Sequence, residues 1–307
     1  MNRKIKESEL CVVSLSDDNY AQHLGAMFVS MLTNMSLDVS ARLYVLSTGL
    51  TDRNKELLQR SVEQYNSRIE FITVAGAAYE KYDSMAGGSR ETYLRLAIAD
   101  ALPAAVEKVI CIDSDVIVTG DVFELWGMDL NGRTIAAVTD QWASSQCDTL
   151  GIPRGVYFNA GILVMDLAKW RANDVSGKAV AFLDSRKGKL VFQDQDALNA
   201  VLFDDWLPLP HEWNAHSLII DAWTSPAPPA LIHYTGRSKP WQFDNVHPFK
   251  DEYYKYLRMT EWSGYKPKIS FKGLIKRMTR PWMPWINRWL PKSAITVIHK
   301  AKLRYLS

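Results

Sequence analysis

The chain has 307 residues, 47% hydrophobic and 23% charged, which excludes a disordered or low-complexity chain and leaves room for one large core or a domain with an appendage. Its net charge of +2 hides an asymmetry: residues 263–307 hold eleven Lys or Arg and no acid, so the body is acidic and the tail strongly basic. No run of 18 apolar residues predicts a spanning helix, and the charged MNRKIKESEL start lacks the apolar stretch of a secretory leader.

The first half alternates strand and helix signals. CVVSLS (11–16) reads as a strand ending in DDNY, and AQHLGAMFVSMLTNM (21–35) as a helix with Leu24, Met27, Phe28 and Met31 on one face. RLYVLS (42–47) is a second strand. The following helix is opened by a Thr or Asp cap in TDRNKELLQRSVEQY. RIEFITV (68–74) is a third strand, AGAAYEKYDSMAGGS a loop, RETYLRLAIADAL a helix stopped by Pro103, and KVICID a strand. This rhythm predicts an α/β fold with a mainly parallel, twisted sheet flanked by helices, whose ligands sit at the carboxyl ends of its strands. Both SDDNY and DSD fall at such ends.

The second half is less regular. TIAAV (134–138), YFNAGILVMDL (157–167) and PALIHYTG (229–236) read as strands, QDALNAVLF as a helix, and SPAPPA (225–230) as a loop. Cys11, Cys111 and Cys147 show no zinc or CxxC spacing, which predicts buried free thiols in a reducing compartment.

Two carboxylates, Asp113 and Asp115, interrupt the apolar run VICIDSDVIVTG. Unpaired carboxylates there are costly, whereas a strand end offers hard oxygen ligands to Mg²⁺ or Mn²⁺. A second Asp-x-Asp, Asp194 to Asp196, opens a helix, where acids are favoured by the dipole and capping explains them. His233 is a polar residue at a strand end. With Gly236, which lets backbone approach closely, and Lys239, a phosphate-suited cation, it forms a candidate metal–diphosphate cradle. Asn159 beside Gly161 reads as an amide at a permissive turn or simply a tight turn. Tyr20 reads as a base-stacking ring or as a hydrophobic staple.

In order, SLSDDNY, TYLRLAIADAL, VICIDSDVIV, YFNAGILVMDLAKWR, FQDQDALNAVL, LPLPHEWN and IHYTGRSKPW resemble the motifs of glycosyltransferase family 8, over about residues 11 to 245. This family comprises retaining hexosyltransferases related to glycogenin and to bacterial lipopolysaccharide and lipooligosaccharide galactosyl- and glucosyltransferases. The resemblance implies the nucleotide-diphospho-sugar transferase (GT-A) fold over residues 1–262. It implies an Mn²⁺-dependent transfer of galactose or glucose from a UDP-sugar to a glycan or glycolipid, in cell-surface polysaccharide or lipopolysaccharide synthesis. Asp17, Asn19, Tyr20 and backbone near Leu15 and Ser16 would bind the uridine end. Asp113, Asp115 and His233 would be the metal ligands, and Gly236 and Lys239 would hold the diphosphate. Arg95, Ser114, Asn159, Asp194 and Gln195 would surround the donor sugar. The second acidic pair is thus promoted by the resemblance and not by its own spacing.

Configuration is then retained by attack on the face that UDP leaves, with Lys239 and the metal stabilising the departing group. Gln195 is the family's residue near the anomeric carbon and a poor nucleophile. Asp194 and Asp196 are the nearby carboxylates a double displacement would use. The segments 76–90 and 140–156, with Arg237 and Ser238, are particular to this chain and leave the acceptor open. The choice between UDP-glucose and UDP-galactose is open too.

In the tail, residues 263–307, Phe271, Leu274, Ile275 and Met278 form one helical stripe, and Trp282, Trp285, Ile286, Trp289 and Leu290 another. Lys272, Lys276, Arg277, Arg280 and Arg288 are interleaved. Such a basic amphipathic appendage suits an anionic membrane surface, each cation near it contributing roughly 1 kcal/mol. The expected location is cytoplasmic, peripheral to the inner face of the plasma membrane. A helix packed on the catalytic domain is the plain alternative. No nucleic-acid motif accompanies the charge. Two rival functions fit less well. A sugar-nucleotide pyrophosphorylase needs a Gly-rich basic loop where SLSDDNY stands, and an inactive membrane-surface binding protein predicts a missing metal ligand.

Overall fold

The computed structural model describes residues 9–36, 39–75, 81–82, 90–186 and 190–269. The first elements are β1 (Glu9–Leu15), α1 (Ala21–Asn34), β2 (Ser40–Ser47), α2 (Asp52–Val62) and β3 (Ser67–Thr73). Thr51 caps α2, its hydroxyl accepting from the Asn54 N–H. Leu24, Met27, Phe28 and Met31 share one core layer with Leu10, Val12, Leu43 and Val45. The alternate residues Cys11, Val13, Tyr44 and Leu46 face a second layer. This period-two partition is why β1 and β2 read as continuous apolar runs: a strand covered on both faces has no wet side.

Residues 90–102 depart from the expected single helix. Tight three-residue turns span Arg90–Ala97, and only Ile98–Ala101 (α3) is α-helical. Tertiary polar partners hold this segment: the Thr48 hydroxyl and N–H both donate to the Glu91 carboxylate, and Arg95 is tied to two aspartates. Leu102 is extended, as a residue before proline prefers.

The chain continues through β4 (Lys108–Ile112), β5 (Val116–Val118), α4 (Phe123–Trp126), β6 (Ile135–Thr139), α5 (Ser144–Leu150), β7 (Phe158–Asp166), α6 (Leu167–Ala172), α7 (Val175–Ser185) and α8 (Asp194–Leu202). β8 (Trp206–Leu209), β9 (Ala215–His216), α9 (Ser217–Asp221), β10 (Leu231–His233) and α10 (Lys250–Leu257) complete the described elements. The sequence reading does not anticipate α5, α6 and α7. The start of α7 is set by a cap, the Asp174 carboxylate accepting from the Gly177 N–H.

One sheet runs β3-β2-β1-β4-β7-β6-β8. Its pairs are parallel except around β7, which is antiparallel to both neighbours. β1 and β4 are therefore parallel neighbours, and their carboxyl ends lie side by side as expected. A small second sheet runs β5-β10-β9. The three cysteines are free and buried. Trp262 packs on the core beside Gly25, and the Tyr265 hydroxyl donates to the Trp241 carbonyl, so packing continues past residue 262. The expected tail stripes (271–278 and 282–290) lie outside the described residues, as does most of the 76–90 segment. Among the described residues no helix is long and apolar enough to cross a membrane.

Candidate active site

The Asp113-Ser114-Asp115 turn is the junction between the two sheets: it leaves β4 of the large one and enters β5 of the small one. β5 pairs antiparallel with β10, and that register sets His233 opposite Val116, one residue from Asp115. The Tyr234 N–H donates to the Asp115 carbonyl, locking the junction. Ligand atoms of Asp113, Asp115 and His233 all lie within 4.8 Å of one another. His233 Nε2 is 3.3 Å from Asp115 Oδ1 and 3.8 Å from Asp113 Oδ2. Adjacent ligands of an octahedral divalent ion at its usual bond lengths sit about 3 Å apart, so this spacing fits a small divalent cation. One imidazole and two carboxylates suit Mn²⁺ or Mg²⁺ in their chemistry as well.

Two protein cations flank the triad. Arg95 is almost wholly buried and bridges Asp113 and Asp194 through its two terminal nitrogens. Lys239 donates to Asp115 and, at 2.7 Å, to the Tyr234 carbonyl. The carboxylates titrate in opposite directions. Burial pushes Asp113 up against the pull of Arg95, whereas at Asp115 the Lys239 ammonium outweighs burial and holds it well below the usual range. Asp194, buried beside Arg95, is pushed up to about 6 by that burial. Gly236 turns the chain between His233 and Lys239 with φ of 78°, a left-handed conformation that side chains disfavour.

The end of β1 lies against this junction. Ser114 is buried, and its hydroxyl donates to the Leu15 carbonyl at 2.6 Å, tying β4's exit to β1. Asp17 shapes the next turn: its carboxylate accepts from the Tyr20 N–H at 3.0 Å and from the Asn19 amide at 3.2 Å, while the Ser16 hydroxyl donates to its carbonyl. Tyr20 stays half-exposed at the head of α1 and meets Trp241 edge-on, with ring centroids 5.8 Å apart. His23, one turn into α1, stacks flat on Trp241 at 3.4 Å and bonds the Tyr253 hydroxyl at 2.7 Å. Trp241 thereby fastens the loop that carries Lys239 to the helix that carries Tyr20.

A bulge in β7 builds the other wall. The β6–β7 register slips at Ala137/Val138, and Ala160 and Gly161 beside the slip make their backbone hydrogen bonds at the site. The Ala160 N–H donates to Gln195 Oε1, the Gly161 N–H to Asn159 Oδ1, and the Gly161 carbonyl accepts from the Asp113 N–H. Gln195 Nε2 also donates to the Tyr157 hydroxyl. Asp196 faces elsewhere: its oxygens accept from that hydroxyl at 2.6 Å and from the Val191 and Phe192 N–H groups. The structure thus gathers Arg95, Asp113, Asp115, Asp194, His233 and Lys239, and sets Gln195 of α8 against the adjoining bulge that carries Asn159. From the sequence, Tyr157, Asn214, His23 and Trp241 receive no role and Gly161 reads only as a permissive turn, although Tyr157, Asn214 and Trp241 stand in YFNAGILVMDLAKWR, LPLPHEWN and IHYTGRSKPW.

With this geometry in hand, residues 11–245 match the sequence model of Glycosyl transferase family 8. The chain belongs to glycosyltransferase family 8. It is a glycosyltransferase related to the lipopolysaccharide enzymes of that family. General stress protein A of Bacillus subtilis is 34% identical over 275 residues, covering 84% of this chain and 96% of its own. Lipopolysaccharide 1,2-glucosyltransferase of Escherichia coli is 26% identical over 286 residues, covering 85% and 83%. A crystal structure of the galactosyltransferase LgtC in complex with donor and acceptor sugar analogs superposes with a TM-score of 0.75. It is 24% identical and covers 87% of this chain and 100% of that one, a likeness of fold consistent with the family-8 assignment.

Proposed function

We propose that this family-8 enzyme moves galactose or glucose from a UDP-sugar to a glycan or glycolipid acceptor, with retention of configuration and with Mn²⁺ as its ion. The observation that carries this reading is the meeting of Asp113, Asp115 and His233 at the sheet junction, beside the end of β1 where Asp17, Asn19 and Tyr20 stand. When bound there, Mn²⁺ supplies Lewis-acid neutralisation of the diphosphate charge. Lys239, on the turn made by Gly236, adds a point charge for the same oxygens. Tyr20 offers its half-exposed ring to the uracil, and the Leu15–Ser16 backbone borders the ribose. Gln195, held by Ala160 and Tyr157, faces the sugar together with Asn159, and Arg95 clamps Asp113 and Asp194 behind it.

Front-face transfer is the favoured course. A covalent glycosyl intermediate needs a carboxylate aimed at the anomeric carbon, whereas the Asp196 oxygens are turned to the Tyr157 hydroxyl and the Val191 and Phe192 N–H groups, and Asp194 to Arg95. The basic tail would hold the enzyme against the anionic inner face of the plasma membrane, where lipid-linked acceptors of cell-surface polysaccharide or lipopolysaccharide synthesis reside. The test is NMR of the sugar first released from UDP-glucose and UDP-galactose in the presence of Mn²⁺. Release of the α-anomer supports the reading; the β-anomer, or no release from either donor, overturns it.

A further inference from the structure

The side of His233 that faces away from the two aspartates is held by a relay that begins on a backbone group of fixed polarity. The Gly161 N–H, beside the β7 bulge, is a donor and nothing else, and it meets Asn159 Oδ1 at 3.0 Å. The Asn159 side-chain oxygen is therefore the acceptor, and its amide nitrogen points the other way, 3.5 Å from Asp140 Oδ2. Asn214 meets that same Asn159 oxygen at 2.8 Å, so Asn214 must present its amide nitrogen there. That leaves Asn214 Oδ1 toward His233 Nδ1, also at 2.8 Å. An amide oxygen only accepts, so the imidazole carries a proton on Nδ1. In the neutral ring the lone pair then sits on Nε2, the atom nearest Asp113 and Asp115.

We infer that Asn214 and Asn159 are positioning residues for the metal ligand His233, fixing its tautomer and its ring plane. This rests on the divalent-cation reading of the triad. A second observation shows that the place was shaped for the ring. A Cβ added to Gly161 would lie 2.1 Å from His233 Cε1 and 2.7 Å from Nδ1, so only glycine leaves room for the imidazole in this pose. Asn214 is fully buried, and the relay is screened from water. A ligating histidine whose other nitrogen is held in this manner is a stronger and better-aimed donor. FNAG and LPLPHEWN thereby join the metal centre, although neither supplies a ligand.

The inference is tested with Asn214→Leu, which removes the acceptor at similar volume, and Asn214→Asp, which keeps an acceptor for Nδ1–H. Long-range ¹H–¹⁵N correlation on the metal-free full chain at mildly alkaline pH reads the tautomer of His233. The Nδ1–H form is expected in wild type and in Asn214→Asp, and loss of that preference in Asn214→Leu. Mn²⁺ affinity, read from the free-ion electron paramagnetic resonance signal with UDP present, is expected to fall about 10- to 100-fold in Asn214→Leu. It is expected to stay within about threefold of wild type in Asn214→Asp. An Nε2–H tautomer in wild type, or equal Mn²⁺ affinity in wild type and Asn214→Leu, overturns the inference. A purely structural role would lower the melting temperature of both variants together and leave the tautomer unchanged, which also overturns it. Wild-type protein that binds no Mn²⁺ but shows the Nδ1–H tautomer would instead defeat the metal reading and leave the relay standing.

Discussion

The Lys239 ammonium donates to the Asp115 carboxylate across 124 residues of chain, so one carboxylate of the candidate metal triad already has a cationic partner. An incoming Mn²⁺ competes with that ammonium, while an incoming diphosphate draws the ammonium to itself. Lys239→Met should therefore have opposite effects on two measurements. Mn²⁺ affinity without nucleotide, by titration calorimetry, should rise severalfold. Turnover of UDP-sugar should fall about 10²- to 10³-fold, as when one preorganised charge is removed from a leaving group.

Trp241 stacks on His23 and meets the edge of Tyr20, joining the Lys239 loop to α1. Such aromatic contacts contribute roughly 0.5–1.5 kcal/mol beyond buried area. Steady-state kinetics of Trp241→Ala should show donor KM raised about 3- to 10-fold with a smaller change in kcat.

Much of the fold, and the acidic cluster of the candidate site, was legible in the sequence; the partners of each site residue were not. The first strands and helices follow from period-two and period-3.6 patterning, because each element buries a face whose spacing the local sequence records. The antiparallel insertion of β7 is not recorded locally, since an apolar run looks alike in either direction. The 90–97 segment reads as a helix by its pattern, but Glu91 and Arg95 answer to Thr48, Asp113 and Asp194, which lie far along the chain. In the site, Asp113 and Asp115 stood out because carboxylates in an apolar run need a reason. Asn214 did not, because an asparagine in a loop has many ordinary uses, and its partner His233 is 19 residues away. Asp194 reads as helix capping in the sequence, and it does stand in the first turn of α8, but its carboxylate pairs with buried Arg95.

Stability should fall with acid through the buried histidines. Burial pushes His23 down to about 3 from an ordinary 6.5, and His247 down to about 4. Between about 6.5 and those values the unfolded chain holds a proton that the native chain refuses. Stability is thus complete above about 6.5 and is lost as pH falls through that window. Each such histidine makes the unfolding constant rise up to about tenfold per pH unit. Urea midpoints measured across this range should move down with pH, and His23→Gln should reduce the slope. An unchanged slope in that variant would contradict the assignment.

Deleting residues 270–307 removes most of the basic, tryptophan-bearing segment while keeping Trp262 and Tyr265, which pack on the catalytic domain. Sedimentation with phosphatidylglycerol vesicles should lose the enzyme to the supernatant, with UDP release in solution unchanged. Full vesicle binding by the shortened chain would rule out the tail as the membrane contact.

The most direct measurement is UDP release from UDP-glucose and UDP-galactose by the full chain, with and without Mn²⁺, repeated with Asp115→Ala. The account predicts release from at least one donor that depends on Mn²⁺ and drops at least about 100-fold in the variant. Release that is indifferent to the ion or undiminished in Asp115→Ala, or no release from either donor, would contradict it.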